Sequence, residues 1–206
     1  MSRLEIGDWQ AADEHLEMHA EARAAMEEFA DEAGRGGITL REDMLPPPIG
    51  LVADGAMVRQ MLGNLLSNAI KFTPEGGSVT LRLYSSPEEG LRLSVIDTGI
   101  GIPEDAVDSV IRPFSQADET LSRSHGGTGL GLSIVDTMMA LHDGALEIKS
   151  ARGKGTTLTL RSPPARLTLA PFATEIWGAG GRLNAGQSPV KVYISYAPRQ
   201  IIDAAT

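Results

Sequence analysis

The 206-residue sequence contains no cysteine, few aromatic residues and no long run of apolar side chains. Without cysteine the chain forms no disulfide, no thiolate metal site and no cysteine nucleophile. This suits a reducing compartment, so we expect a cytoplasmic location. Since the apolar runs are only a few residues long, we expect neither a membrane span nor a secretory leader.

Aromatic residues make up 4% of the chain, and 27 acidic residues outnumber 18 Lys and Arg, which gives a net charge of −9. A nucleic-acid surface needs a basic face or stacking rings, so this composition argues against nucleic acid as a partner. If the ligand is an anion, a cation must mediate its binding. The ordinary share of hydrophobic residues, 42%, predicts a globular protein with one main core.

Hydrophobic periodicity predicts helices and strands in mixed order. In chain order the predicted elements are a helix from Leu16 to near Gly34, short strands at 38–40 and 51–53, a central helix from Asp54 to Phe72, strands at 79–83 and 91–95, a short helix up to Ile111, a loop at 116–127, a helix at 128–141, and strands at 145–150 and 156–161. This order predicts an α/β (α+β) two-layer sandwich, in which a mixed sheet is covered by helices on one face.

Three polar residues lie on one stripe of the central helix: Asn64, Asn68 and Lys71 are spaced i, i+4 and i+7. Asparagine disfavours a helix interior by roughly 0.5 kcal/mol relative to alanine, so two asparagines in register indicate a compensating role. An amide oxygen is a suitable ligand for Mg²⁺, and a lysine one turn further on can pair with phosphate. Taken alone, a solvated polar face explains the stripe equally well.

Asp97 ends a predicted strand and precedes two glycines, Gly99 and Gly101, which let the backbone approach a flat ligand. A carboxylate accepts a hydrogen bond from the exocyclic amine of adenine and repels the carbonyl of guanine, so this one acceptor would select adenine. An ordinary Asp-Thr-Gly turn is the alternative interpretation.

A third segment, from Gly126 to Leu132, leads from a glycine-rich stretch into the start of a helix. The unpaired N–H groups and the positive dipole end of a helix N-terminus favour phosphate binding. The spacing does not fit the dinucleotide-binding pattern G-x-G-x-x-G, because Leu132 stands where the last glycine would be, and it is not a P-loop. A flexible linker is the alternative.

Taken in chain order, these three segments and Pro113-Phe114-Ser115-Gln116 resemble the N, G1, F and G2 boxes of sensor histidine kinases. The resemblance spans roughly residues 38–161. It implies the Bergerat ATP-binding fold of the GHKL superfamily, with ATP and Mg²⁺ as ligands.

The resemblance also implies roles for individual residues. Asn68 would ligate magnesium, with Asn64 and Lys71 near the phosphates. The other implied positions are Asp97, with Gly99 and Gly101, at the adenine; Phe114 as the anchor of a lid; Gly127, Thr128, Gly129, Leu130 and Gly131 around the triphosphate; and, near the adenine, one threonine of Gly155-Thr156-Thr157, for which we take Thr157.

The first ten residues are similar to the end of the family's dimerization helix. We therefore divide the chain into the end of that helix or a linker (1–10), the catalytic ATP-binding domain (11–163) and a C-terminal extension of unknown role (164–206). None of the four histidines stands in the family's phosphoacceptor motif. The resemblance thus implies an accepting histidine on a dimerization domain outside this sequence, and a response regulator downstream. We expect an isolated fragment of this kind to be monomeric and without membrane contact, even where the parent kinase is membrane-anchored.

Related GHKL ATPases place a glutamate one helical turn before the metal-binding asparagine, where it activates water. Asn64 occupies that place here, and an amide cannot accept a proton. Because general-base activation contributes about 10²–10⁴-fold, hydrolysis should be slow, which favours a protein-histidine kinase. A nucleotide-binding pseudokinase or regulatory module, and a slow GHKL ATPase, would share the same residues and remain alternatives.

Overall fold

The computed structural model describes residues 10–45, 49–112 and 129–168. Its strands are β1 (Glu14–Glu17), β2 (Thr39–Met44), β3 (Gly50–Ala53), β4 (Ser78–Ser86), β5 (Gly90–Asp97), β6 (Ala145–Ser150), β7 (Thr156–Ser162) and β8 (Leu167–Thr168). Its helices are α1 (Met18–Arg35), α2 (Gly55–Phe72), α3 (Val107–Val110) and α4 (Gly131–Leu141). Short 3₁₀ turns, Glu104–Ala106 and Pro164–Arg166, precede α3 and β8.

Five strands form one mixed sheet in the order β2-β4-β5-β7-β6. β2 runs parallel to β4, and the other neighbours are antiparallel. Helices α1 and α4 both pack against α2, and these helices contact the sheet. This arrangement confirms the predicted two-layer fold, including both predicted hairpins, β4–β5 and β6–β7.

The core lies between the helix layer and the alternating apolar side chains of the two central strands. Six alternating apolar residues of β4 and β5 are at most 2% exposed, namely Val79, Leu81, Leu83, Leu91, Leu93 and Val95. Since side chains alternate between the faces of a strand, these residues share the face that the helices cover. The same alternation carries Asp97, two residues beyond Val95, to the helix side at the end of β5.

Helix α2 is the central element of the helix layer, and its bounds agree with the prediction. Asp54 caps it, because its Oδ1 accepts a hydrogen bond from the Met57 N–H at 3.0 Å. Apolar residues at helical spacing are fully buried beneath the helix, among them Leu62, Leu65 and Leu66. Asn64 and Asn68 lie beside this apolar stripe and are half-buried.

A second, three-stranded sheet, β1-β3-β8, differs from the sequence-based expectation. Leu16 was expected in the first helix but belongs to β1, and α1 begins at Met18. Glu17 caps α1 at this point, since its side chain accepts hydrogen bonds from the N–H groups of His19 and Ala20. At the other end of the chain, β8 pairs with β3, so residues 164–168 of the predicted extension fold together with the domain.

Among the helices in the described ranges, none combines the length and the hydropathy needed to cross a bilayer. The predicted loop at 116–127, most of the predicted extension and the first nine residues lie outside the described residues.

Candidate functional site

The polar stripe of α2 lies against the start of α4. A β-carbon placed on Gly131 would be 3.7 Å from Asn64 Oδ1 and 3.7 Å from Asn68 Nδ2. Neither amide makes a hydrogen bond with another described residue, and both are half-buried. The structure thus brings the asparagine motif and the end of the glycine-rich motif together, with amide groups and backbone N–H groups side by side.

The predicted site residues around the glycine segment are only partly within the described ranges. Gly129 has φ +66°, in the left-handed region that favours glycine, and it is followed by Leu130 and Gly131 at the start of α4. Phe114, Gly127 and Thr128 lie outside the described residues. The lid and the first part of the glycine segment therefore stay predictions.

Lys71 is in the last turn of α2, with its Nζ 5.0 Å from the centroid of the Phe72 ring. The backbone carbonyl of Phe72 accepts a hydrogen bond from Ile100 N–H at 3.1 Å. The end of α2 is thereby tied to the loop that follows Asp97. Lys71 consequently stands between the asparagine stripe and that loop.

Asp97 is 8% exposed and closes β5 beneath this loop. Its Oδ1 accepts hydrogen bonds from the Gly99 N–H at 2.7 Å and from the Thr156 N–H at 3.1 Å. Burial raises the pKa of the carboxyl above its ordinary value, and the two N–H groups act in the opposite direction. Within the described part of the chain Oδ2 has no hydrogen-bond donor, so this oxygen is available to a ligand.

Two glycines of this loop have no room for a side chain. A β-carbon on Gly99 would overlap the Phe72 carbonyl oxygen and crowd Asp97 Oδ1, and one on Gly101 would overlap the carbonyl of Ala151. Gly101 also has φ +67°. The glycines therefore let the loop close against α2 on one side and the β6–β7 turn on the other, which fixes the position of Asp97.

The threonine that faces Asp97 is Thr156 and not Thr157. In the β5–β7 ladder Ile96 pairs with Thr157, so the next position places Thr156 opposite Asp97. Thr156 is buried and donates its N–H to Asp97, whereas Thr157 is on the opposite face of the sheet because side chains alternate along a strand. Thr157 at the adenine stays a prediction, while the structure places Thr156 next to Asp97.

Ser150, at the end of β6, holds the Asp97 loop although no sequence motif predicts it. Its Oγ lies 2.9 Å from Thr156 Oγ1, accepts from Ile102 N–H at 2.7 Å and donates to the carbonyl of Gly155 at 3.0 Å. This hydroxyl connects the Asp97 loop with the β6–β7 turn. A serine at the end of a strand carries no distinguishing sequence signal, so only the fold could reveal it.

The described residues contain no group of three or more His, Cys, Asp or Glu side chains that could hold a metal ion. The available protein donors are the amide oxygens of Asn64 and Asn68. Oxygen donors of this kind, completed by ligand oxygens and water, suit Mg²⁺.

Comparison with known proteins identifies the family resemblance of this arrangement. Residues 53–166 match the family model described as "Histidine kinase-, DNA gyrase B-, and HSP90-like ATPase". The chain is 37% identical over 166 residues to the "Non-motile and phage-resistance protein" of Caulobacter vibrioides, covering 79% of this chain and 20% of that protein. It is 35% identical over 172 residues to the "Histidine protein kinase DivJ" of the same organism, covering 84% of this chain and 28% of that protein.

Among solved structures, full-length ShkA in complex with AMPPNP superposes with a TM-score of 0.68 at 30% identity. The match covers 78% of this chain and 33% of that chain. The chain thus spans only about a fifth to a third of the length of these relatives. Residues 53–166, which match the family model, contain α2 to β7 and the described parts of the site between α2, α4 and the Asp97 loop.

Proposed function

Because the chain belongs to the family of histidine kinase-, DNA gyrase B- and HSP90-like ATPases and has its Bergerat fold, we propose that it is the ATP-binding catalytic domain of a sensor histidine kinase. Such a domain catalyses phosphoryl transfer from ATP to histidine, in which an imidazole nitrogen of the accepting histidine attacks the γ-phosphorus of ATP. The bond from that phosphorus to the β–γ bridging oxygen breaks, and ADP leaves. The accepting histidine is on a dimerization domain outside this sequence.

The observation that carries the proposal is the different hydrogen bonding of the two oxygens of the Asp97 carboxylate. Oδ1 is occupied by two backbone N–H groups, which fix the plane of the carboxylate. Oδ2 is left as an acceptor at the end of a buried strand. An acceptor held in this way fits the exocyclic amine of adenine and repels the carbonyl that guanine presents there.

The phosphates would lie between α2 and the start of α4. Backbone N–H groups of Gly129, Leu130 and Gly131 at a helix N-terminus favour negative charge, and Lys71 adds a cation near the end of α2. Asn68 would supply an amide oxygen to Mg²⁺, which when bound neutralises charge on the phosphate oxygens. Because the protein has a net charge of −9, such neutralisation aids the approach of ATP.

Phosphoryl transfer is favoured over hydrolysis because Asn64 stands beside Asn68 on the stripe. An amide does not accept a proton, so it cannot activate water as a general base. That activation is worth about 10²–10⁴-fold in enzymes that use it. ATP would therefore persist in the site until the imidazole of a dimerization domain reaches the γ-phosphoryl group.

The protein would thus act in two-component signalling. The phosphorylated histidine of the dimerization domain would in turn donate its phosphoryl group to a response regulator. Transfer to a response regulator would occur in the cytoplasm, a location with which the lack of cysteine is consistent.

The test combines the chain with a separately produced, histidine-containing dimerization domain and ATP labelled at the γ-phosphoryl group. We expect acid-labile, base-stable label on that domain, absent when its acceptor histidine is replaced by alanine. Tight ATP binding without such label would identify a binding module instead. Rapid release of phosphate by the chain alone would identify an ATPase.

A further inference from the structure

One buried histidine joins the two helices that form the walls of the site, at the end remote from the asparagines. His142 follows α4 directly and is 2% exposed. Its Nδ1 lies 2.7 Å from the carbonyl oxygen of Met138, and the Asp54 N–H donates to its Nε2 at 3.0 Å. A carbonyl is only an acceptor, so Nδ1 carries the proton and Nε2 is the bare nitrogen.

These contacts define the register of two antiparallel helices. At one end Asp54, the cap of α2, meets His142, and at the other end Asn64 and Asn68 lie against Gly131. With a rise of 1.5 Å per residue, about 15 Å of α2 separates Asp54 from Asn64, and nearly the same length of α4 separates Gly131 from His142. A slide of α4 along α2 would therefore displace both ends together.

We propose that His142 is a positioning residue of the nucleotide site, which keeps the start of α4 against Asn64 and Asn68 by anchoring its other end to Asp54. This inference rests on the proposed function. His142 does not touch the nucleotide. It acts by fixing the axial position of α4, and hence the position of the N–H groups at the start of that helix.

The Asp54 end of this link is itself rigidly held, which is what an anchor requires. Besides capping Met57, the Asp54 carboxylate accepts from the Ala12 N–H at 2.9 Å through Oδ2. The next amide, that of Gly55, donates to Glu14 Oε1 at 3.1 Å. The first turn of α2 is thus tied to the N-terminal segment. The hydrogen bond to His142 therefore fixes the position of α4 relative to an end of α2 that is itself held in place.

A residue that only filled space here would not need two nitrogen atoms. Burying an imidazole is unfavourable unless its polar atoms are paired, and an apolar side chain would fill the position without that requirement. The pairing of both nitrogens, one within α4 and one to α2, therefore points to the connection between the helices as the role of His142.

Two substitutions distinguish the hydrogen bond between His142 and Asp54 from the filling of space at position 142. The amide of Gln reaches as far as Nε2 and can accept from Asp54 N–H, whereas the amide of Asn reaches only as far as Nδ1 and can pair only with Met138. We expect His142→Asn to weaken Mg²⁺–AMPPNP binding about fivefold, the factor that corresponds to one net hydrogen bond, and His142→Gln to stay within about twofold of the unaltered protein. Equal affinities of the two folded variants would overturn the inference.

Hydrogen exchange on the unaltered protein gives a second measurement that needs no variant. If the link favours nucleotide binding, binding must by reciprocity favour the link to the same extent. The Asp54 amide should then exchange about fivefold more slowly with saturating AMPPNP, by the same single-bond factor. The amide of Leu45, bonded to the Leu83 carbonyl at the edge of the sheet, serves as the control and should not change.

Unchanged exchange at Asp54 in the saturated protein would overturn the role of His142, and this measurement decides the question if the variants do not fold. Failure of the unaltered protein to bind AMPPNP at all would instead refute the proposed function.

Discussion

Replacing Asp97 by asparagine removes one acceptor while leaving the surrounding hydrogen bonds intact. The amide oxygen of Asp97→Asn can accept from the N–H groups of Gly99 and Thr156, as Oδ1 does now. Only the second oxygen becomes an NH₂ group. The substitution therefore tests the proposed contact with the base and not the integrity of the loop.

The expected loss follows from the energy of one charge-assisted hydrogen bond. Such a bond contributes about 1.5–3 kcal/mol, and the new NH₂ group would also face the amine of adenine, donor against donor. At about 1.4 kcal/mol per tenfold change, ATP should bind roughly 10–100-fold more weakly. GTP should not lose affinity in this way, because the NH₂ group can donate to the carbonyl of guanine, so the preference for ATP should shrink.

Asp97→Asn should lower the affinity for ATP but raise the stability of the ligand-free protein. Burial raises the pKa of Asp97, so the ionised carboxylate is a cost to the folded state at neutral pH. Because the folded state holds this proton more tightly than the unfolded state, the contribution of Asp97 to stability falls as the pH rises through its raised pKa. The neutral amide avoids that loss. We expect the ligand-free Asp97→Asn protein to have the higher Tm at neutral pH, with the difference shrinking as the pH falls toward the ordinary aspartate range.

Calorimetric titration with ATP and GTP, and thermal unfolding across pH without ligand, measure the two effects. Asp43→Asn is the matched control, since Asp43 is exposed at the sheet edge, where it pairs with Arg82. The control should leave the nucleotide preference unchanged. Undiminished ATP affinity in Asp97→Asn, with the preference over GTP retained, would refute the assignment of Asp97 to the base.

Four further substitutions, one of them a control, test neighbouring parts of the site. Asn68→Ala should reduce the Mg²⁺ dependence of ATP binding in titrations with and without the ion, and an unchanged dependence would place the metal elsewhere. Thr156→Val should weaken ATP binding several-fold by removing the hydroxyl that lies 2.9 Å from Ser150 Oγ and helps to hold the Asp97 loop, one hydrogen bond being worth about 1 kcal/mol; Thr157→Val, on the other face of the sheet, should not, and the reverse order would contradict the register. Gly101→Ala should lower the free energy of unfolding by roughly 2 kcal/mol or more in urea titrations, because an L-residue is strained at this φ and its β-carbon meets the Ala151 carbonyl; a stable variant would contradict the loop geometry.

The longer elements of the fold could be predicted from the sequence because their periodicity extends over several turns or pleats. Helix α2 and the β4–β5 hairpin agree with the prediction for this reason. Of the small sheet only β3 was predicted, as the strand at 51–53, because β1 and β8 have four and two residues and show little more than one period. Its pairing depends on contacts between distant parts of the chain, such as the Arg166 contacts with Asp13 and the Val52 carbonyl.

Some residues of the site also could not be predicted from the sequence, because their positions depend on strand register or on contacts between distant parts of the chain. A displacement of one residue moves a strand side chain to the other face, so the choice between Thr156 and Thr157 depends entirely on register. A usable signal was present, because the core-facing residues Leu158 and Leu160 share the parity of Thr156. No comparable signal existed for His142, since its importance arises from a hydrogen bond to Asp54, 88 positions away in the chain.

The three motifs are far apart in sequence, and α2 is the element that gives them one geometry. Its last residue, Phe72, holds the Asp97 loop through Ile100; its middle carries the asparagines that meet Gly131; and its cap receives the histidine that follows α4. A helix with a fully buried apolar face is rigid on the length scale that separates these contacts. Base, phosphates and metal would therefore be placed relative to one another by elements that are all tied to a single rigid helix.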